Sequence, residues 1–231
     1  MAKPYFYIME WLDDNSTVTF LDKYLPEQFK IFTQPQSQFA GRYMNVHNWQ
    51  TKLLSKQMLT GKAYSSPDNI ITCFRKNQFL EGLAMTISWG TMWRQNPRIY
   101  TTDLLRIYQV LENCNSSLHD EKNIDEAWKN IESSLSWSPV ITSKTLHFMC
   151  RALGFDKDPP VAIDNKIILK RVWPALTRSV KASAKPSSWA NGLSGYKRYM
   201  TFINYLRCNC YPDWSNTQIE STLFIVFYNK W

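Results

Sequence analysis

The sequence predicts a mainly α-helical protein, and three observations predict it. From about residue 65 onward, apolar side chains recur at intervals of three or four, the period of a helix with one buried face. Those segments open on Pro, Ser or Asp and stop at Gly, which are the residues that satisfy or release helix ends. With 44% hydrophobic and 15% aromatic residues, but only 7 Gly and 11 Pro, the chain carries material for a packed core and is neither disordered nor fibrous. Its 231 residues suit one large domain or two small ones. The expected organisation is an N-terminal segment, 1–65, packed on one helical body, 66–231.

The N-terminal segment carries the weaker pattern. Thr17-Val18-Thr19-Phe20 has strand composition, and Gln34 to Gly41 reads as loop. Pro67-Asp68 then starts one helix or two, with Ile71, Phe74, Leu80, Leu83, Ala84 and Ile87 inward and an end near Gly90. Asp103 is an N-cap for a helix expected to bury Leu104, Leu105, Tyr108 and Leu111. Asp120 precedes another with Ile124, Ala127, Trp128, Ile131 and Leu135 on one side.

Ser143 is read as the cap of a segment with Leu146, Met149, Cys150 and Leu153 on one face, which places Lys144 in the first turn and Gly154 at the stop. In Asp156-Lys157-Asp158-Pro159-Pro160 each proline forces its predecessor into extended geometry, so Val161-Ala162-Ile163 is a straight connector. Asp164 ends it and caps the next helix, about Asn165 to Arg178, with a break at Pro174. After the Lys185–Ser188 loop comes a helix around Leu193 to Leu206, and Ser215-Asn216-Thr217-Gln218 is a capping box for a last helix carrying Ile219, Leu223 and Phe224.

Charge separates along the chain. The 27 Lys and Arg against 19 Asp and Glu leave a net charge of +8. Between Asn165 and Pro212 stand nine basic residues and no acid, whereas Glu112 to Glu132 holds six acids and two lysines. The first region suits a polyanion and the second a solvated face. No stretch approaches the ~18 apolar residues of a membrane span, and Glu10, Asp13 and Asp14 interrupt any signal-peptide core. The five cysteines lack the paired spacing of a zinc or iron–sulfur site and read as reduced thiols. The chain is therefore expected to act in the cytoplasm as a monomer, with no membrane, metal or cofactor.

The residues that suggest chemistry are Lys144, at the start of a helix, and Asp164, twenty positions downstream beyond the proline connector. A carboxylate at a helix N-terminus is held as an anion by backbone N–H groups and the helix dipole. A lysine amine becomes a nucleophile when its surroundings favour the neutral form.

Ser143-Lys144-Thr145-Leu146, Cys150-Arg151-Ala152-Leu153 and Pro160-Val161-Ala162-Ile163-Asp164 resemble the catalytic region of helix-hairpin-helix DNA glycosylases, especially the 8-oxoguanine type in its short bacterial form. The resemblance is tight over Ser143 to Ile168. It implies a mostly helical fold that flips a base out of double-stranded DNA and cleaves its N-glycosidic bond. Lys144 would attack C1′ of the sugar and form a Schiff base able to proceed to strand cleavage, and Asp164 would offset the positive charge growing on the sugar.

Two features depart from the family. Its hairpin usually has a Gly-x-Gly turn that grips a phosphate, but Trp137 to Ser143 contains no glycine, and Lys166 stands where a histidine is common. Ser143, Lys166, Lys170, Arg171, Lys197 and Arg198 are the expected contacts to the DNA backbone. Trp89, Met92, Trp93, Arg94 and Tyr43 are the expected base pocket or wedge, with Arg42 and His47 weaker candidates. The substrate is an oxidised purine or a bulky hypermodified base such as a glucosylated phage cytosine, the latter implying anti-phage defence. The alternatives are a non-catalytic nucleic-acid-binding module of the same fold and a protein-interaction scaffold.

Overall fold

The computed structural model describes residues 42–44, 63–89, 103–121, 123–155, 159–164, 192–209 and 211–229. These form seven α-helices and one short two-stranded ribbon. The chain divides into two compact units, and the division falls between Ala162 and Ile163, inside the 66–231 stretch expected to form one body. The Thr17–Phe20 strand, the Gln34–Gly41 loop and the helix of Asn165 to Arg178 lie outside the described residues.

In the unit that ends at Ala162, β1 (Arg42–Met44) pairs antiparallel with β2 (Ala63–Ser65), setting Tyr43 opposite Tyr64. The Ser65 hydroxyl donates to the Met85 carbonyl and ties β2 to the following helices. Helix α1 (Pro67–Arg75) begins where expected: the Ser66 Oγ accepts from the Asn69 N–H at 3.2 Å, and Pro67 occupies the first turn, where a missing N–H costs nothing. It stops because Asn77 takes a left-handed conformation, φ 57°. The Gln78 N–H then bonds back to the Cys73 carbonyl at 2.9 Å. Helix α2 (Phe79–Trp89) is buried along every residue except Glu81, and Gly82 permits its close approach to α1, since a Cβ there would stand 3.0 Å from the Phe74 ring.

Helix α3 (Leu104–Glu121) is capped by Asp103, whose Oδ1 accepts from the Leu105 N–H at 3.2 Å. Its buried face differs from the expected one. Ile107, Leu111, Cys114 and Leu118 are fully enclosed, while Leu105 is 61% exposed. At 100° per residue Leu105 lies about 200° around the helix from Ile107, so that stripe turns it to solvent.

The next cap is also shifted. Asp120 falls inside the last turn of α3. Asn123 opens α4 (Ile124–Leu135), accepting from the Glu126 N–H at 3.1 Å and donating to the Glu126 carboxylate at 3.1 Å. The buried set Ala127, Trp128, Ile131 and Leu135 is as predicted. Cys114 Sγ donates to the Ala127 carbonyl at 3.4 Å across the α3–α4 contact.

Helix α5 (Pro139–Ala152) is the core of this unit and packs against α1, α2 and α4. Ten consecutive residues, Ile141 to Cys150, are buried. A helix enclosed on all sides shows no single apolar stripe, so its start is marked by local chemistry alone. That start is Ser138-Pro139, which places the cap five residues ahead of the one expected at Ser143. The stop is as predicted: Gly154 sits at φ +85°, and the Phe155 N–H reaches back to the Cys150 carbonyl at 3.0 Å. Beyond it Pro159 to Ile163 runs without helix and is buried.

In the second unit, α6 (Gly192–Asn209) packs on α7 (Asn216–Asn229). Tyr196, Tyr199, Phe202, Ile203 and Leu206 on α6, and Ile219 and Leu223 on α7, are buried. The capping box forms as predicted, with Ser215 N–H donating to the Gln218 side-chain carbonyl at 2.7 Å and Gln218 N–H to the Ser215 hydroxyl at 3.2 Å. Asn216 donates to the Asn204 side-chain oxygen at 2.8 Å, joining the two helices.

Candidate active site

Helix α5 supplies the densest group of polar side chains in an apolar setting. Thr142, Ser143, Lys144, Thr145 and His147 are each at most 4% exposed. Such burial is costly unless each polar group is matched. Lys144 is matched in part by an aromatic face: its ammonium stands 5.4 Å from the centroid of the Trp89 ring, at the end of α2. Cation–π contacts of this kind contribute ~2 kcal/mol when desolvated. Trp89 is itself held edge-on against Phe148, with centroids 5.2 Å apart, and Phe148 lies edge-on to His147 at 4.9 Å.

His147 fixes the connector. Its Nδ1 lies 2.8 Å from the Pro160 carbonyl oxygen, and a carbonyl only accepts, so Nδ1 carries the proton and Nε2 keeps its lone pair. Burial lowers its pKa to about 4, against the opposing bond to Pro160 and with help from Arg151 and Lys144. The imidazole is therefore neutral at physiological pH. Among the described residues the buried hydroxyl oxygens of Thr142 and Thr145, on either side of Lys144 in sequence, have no hydrogen-bond partner. The arrangement presents an amine, a neutral imidazole and two hydroxyls on one helix, beside an indole face.

The structure corrects the placement of Ser143 and Lys144. They lie in the second turn of α5, not at its N-terminus, because Ser138 and Pro139 begin the helix. The Ser143 hydroxyl donates to the Val140 carbonyl at 3.1 Å and is fully buried, so it neither caps the helix nor faces a DNA backbone. The dipole of α5 therefore does not act on Lys144 through free N–H groups; burial and Trp89 do.

Trp89, expected in the base pocket, is the one pocket candidate that the described side chains bring to Lys144. Tyr43 occupies the middle of β1. Met92, Trp93, Arg94, Lys166, Lys170, Arg171 and the weaker candidate His47 lie outside the described residues. Lys197 is exposed on α6, and Arg198 follows it in that helix.

Asp164 belongs to the second unit, just past the division, and is half-buried. Within that unit it lies in the electrostatic neighbourhood of Tyr199, as do Tyr196 and Glu220. The Tyr199 hydroxyl is enclosed, and its pKa is raised first by burial and then by Glu220, Tyr196 and Asp164. Glu220 is 2% exposed on the inner face of α7 and was not singled out by the sequence, although an acid between Ile219 and Leu223 is the signal that marks it.

Among the described residues, no three of His, Cys, Asp and Glu are grouped to hold a metal ion, and no helix is long and apolar enough to cross a membrane. Burial raises the thiol pKa of Cys114 to about 12 and pushes that of Cys150 up as well, so both stay protonated. Compared with models of known families, with curated proteins and with solved structures, the chain gives no match.

Proposed function

We propose that the protein is a DNA glycosylase that extrudes a modified base and cleaves its N-glycosidic bond, with Lys144 as nucleophile. One observation carries this reading: the lysine named from sequence is buried under the ring of Trp89, a residue independently named as a base-stacking candidate. An enclosed amine beside an indole face suits a reaction that must exclude water and hold a flat base.

In this scheme the Lys144 ammonium gives up a proton to the departing base as its nitrogen attacks C1′, and the base leaves with the bonding pair. The attached nitrogen loses a proton as the sugar ring opens to the Schiff base, from which elimination breaks the 3′ phosphodiester. By the resemblance alone, Asp164 is the carboxylate assigned to balance positive charge on the sugar during departure. His147 holds the connector that leads in sequence to Asp164, through its bond to Pro160. The substrate is an oxidised purine or a hypermodified cytosine, and with the latter the role is defence against phage.

Duplexes carrying each base, incubated with the protein and then treated with hot alkali, test the proposal. Base release with a borohydride-trapped covalent adduct is expected, lost in Lys144→Gln and reduced in Asp164→Asn. Excision without trapping would make water the nucleophile. Release from no duplex would overturn the enzymatic reading and leave a binding module, which the exposed Lys197 on α6 favours as the second reading.

A further inference from the structure

A cavity of about 310 Å³ opens between α1 and α5 and is lined by Asp68, Ile71, Thr72, Arg75 and Arg151. Asp68, Ile71, Thr72 and Arg75 fall at i, i+3, i+4 and i+7, one face of α1. Arg151 enters from the last turn of α5. Two guanidinium groups thus line one cavity, and neither has an ion-pair partner among the described residues. The single acid lining it, Asp68, stands in the first turn of α1 and Arg75 in the last, about 10 Å apart along the axis. The Thr72 hydroxyl is turned to the Asp68 carbonyl, 2.8 Å away, within the same helix.

We infer that Arg75 and Arg151 form a phosphate-binding cleft that holds a phosphodiester of the DNA backbone. This rests on the glycosylase reading for its ligand, and on the cavity for its chemistry. Two like charges that share a cavity are stabilised by an anion between them. The planar fork of arginine matches phosphate oxygens in pairs. The placement suits the same strand that would present its sugar to Lys144. Lys144, His147 and Arg151 stand at i, i+3 and i+7 on α5, so Arg151 lies about 10 Å along the helix from Lys144, roughly three nucleotide rises of 3.4 Å.

The test is the salt dependence of duplex binding, followed by fluorescence anisotropy from 50 to 200 mM salt, for the full chain and for Arg75→Gln, Arg75→Lys and Arg151→Gln. Arg75 is exposed, so Arg75→Gln is expected to fold with an unchanged melting temperature. It should weaken binding several-fold, alike for every sequence, and lower the slope of log K against log salt by ~0.9. Arg75→Lys should restore most of the slope, and Arg151→Gln should lower it like Arg75→Gln.

An unchanged slope in both glutamine variants would overturn the inference. A second arm titrates inorganic phosphate alone: binding that is lost in Arg75→Gln, with the duplex slope unchanged, would assign the cleft to a free phosphate and overturn the DNA assignment. Failure of the enzyme reading is distinct. A lowered slope together with no base release from any duplex leaves the cleft in place and removes the glycosylase.

Discussion

The ammonium of Lys144 stands 5.4 Å from the centre of the Trp89 ring, joining the middle of α5 to the last residue of α2. That pairing sets a cation inside a helix whose neighbours Thr142, Ser143 and Thr145 are also enclosed. A buried charge adds little net stability over an apolar group of the same shape.

Lys144→Met tests this directly. Methionine keeps an unbranched apolar stem one atom shorter and removes the charge, so folding stability should stay within about 1 kcal/mol of the parent or rise. Base excision and the borohydride-trapped adduct should disappear. A stability loss well beyond that, read from urea denaturation, would instead make the ammonium a structural element.

Trp89 separates aromatic contact from bulk. Trp89→Phe keeps a ring against Lys144 and Phe148 and should cost less than Trp89→Ala. Trp89→Ala leaves a cavity at a position only 7% exposed and should cost ~3–5 kcal/mol. Denaturant midpoints of the two variants check the ordering.

His147 makes stability depend on pH. Its folded pKa, about 4, lies below the ordinary 6.5 because burial penalises the imidazolium. The unfolded chain therefore binds this proton first as pH falls. The stability contributed by the neutral ring is complete above pH 6.5, declines between 6.5 and about 4, and is lost below it. The expected loss is ~3 kcal/mol, and His147→Gln should flatten the profile over that window. A parent protein equally stable at pH 7 and pH 4.5 would count against a neutral buried His147.

Gly82→Ala should destabilise, although alanine is the better helix former by ~1 kcal/mol. The added methyl would stand 3.0 Å from the Phe74 ring, itself 1% exposed and unable to move aside freely. Overpacking of this kind costs ~1–3 kcal/mol. A raised melting temperature in Gly82→Ala would show that α1 and α2 can separate at this contact.

Local signals in the sequence were sufficient at several helix ends, although the cap of α4 is Asn123 and not Asp120. Asp103, Gly154 and the Ser215–Gln218 box each bound a helix through hydrogen bonds within a few residues, and Pro67 stands in the first turn of α1. The inward faces of α1 and α4 were legible because each has one apolar side. The start of α5 is not legible in the sequence because enclosure on all sides removes the periodicity that would locate it, so Ser143 reads as the cap where Ser138 stands.

By itself the sequence determined a helical chain, the identity of Lys144 and Trp89 as residues to watch, and the extended connector after the paired prolines. Tertiary structure alone decided that Lys144 is buried mid-helix against the indole, that His147 is neutral and bonded to Pro160, and that Arg75 and Arg151 share a cavity. Caps and turns are set by neighbours in sequence, whereas burial, charge pairing and cavity lining depend on which distant helices pack together.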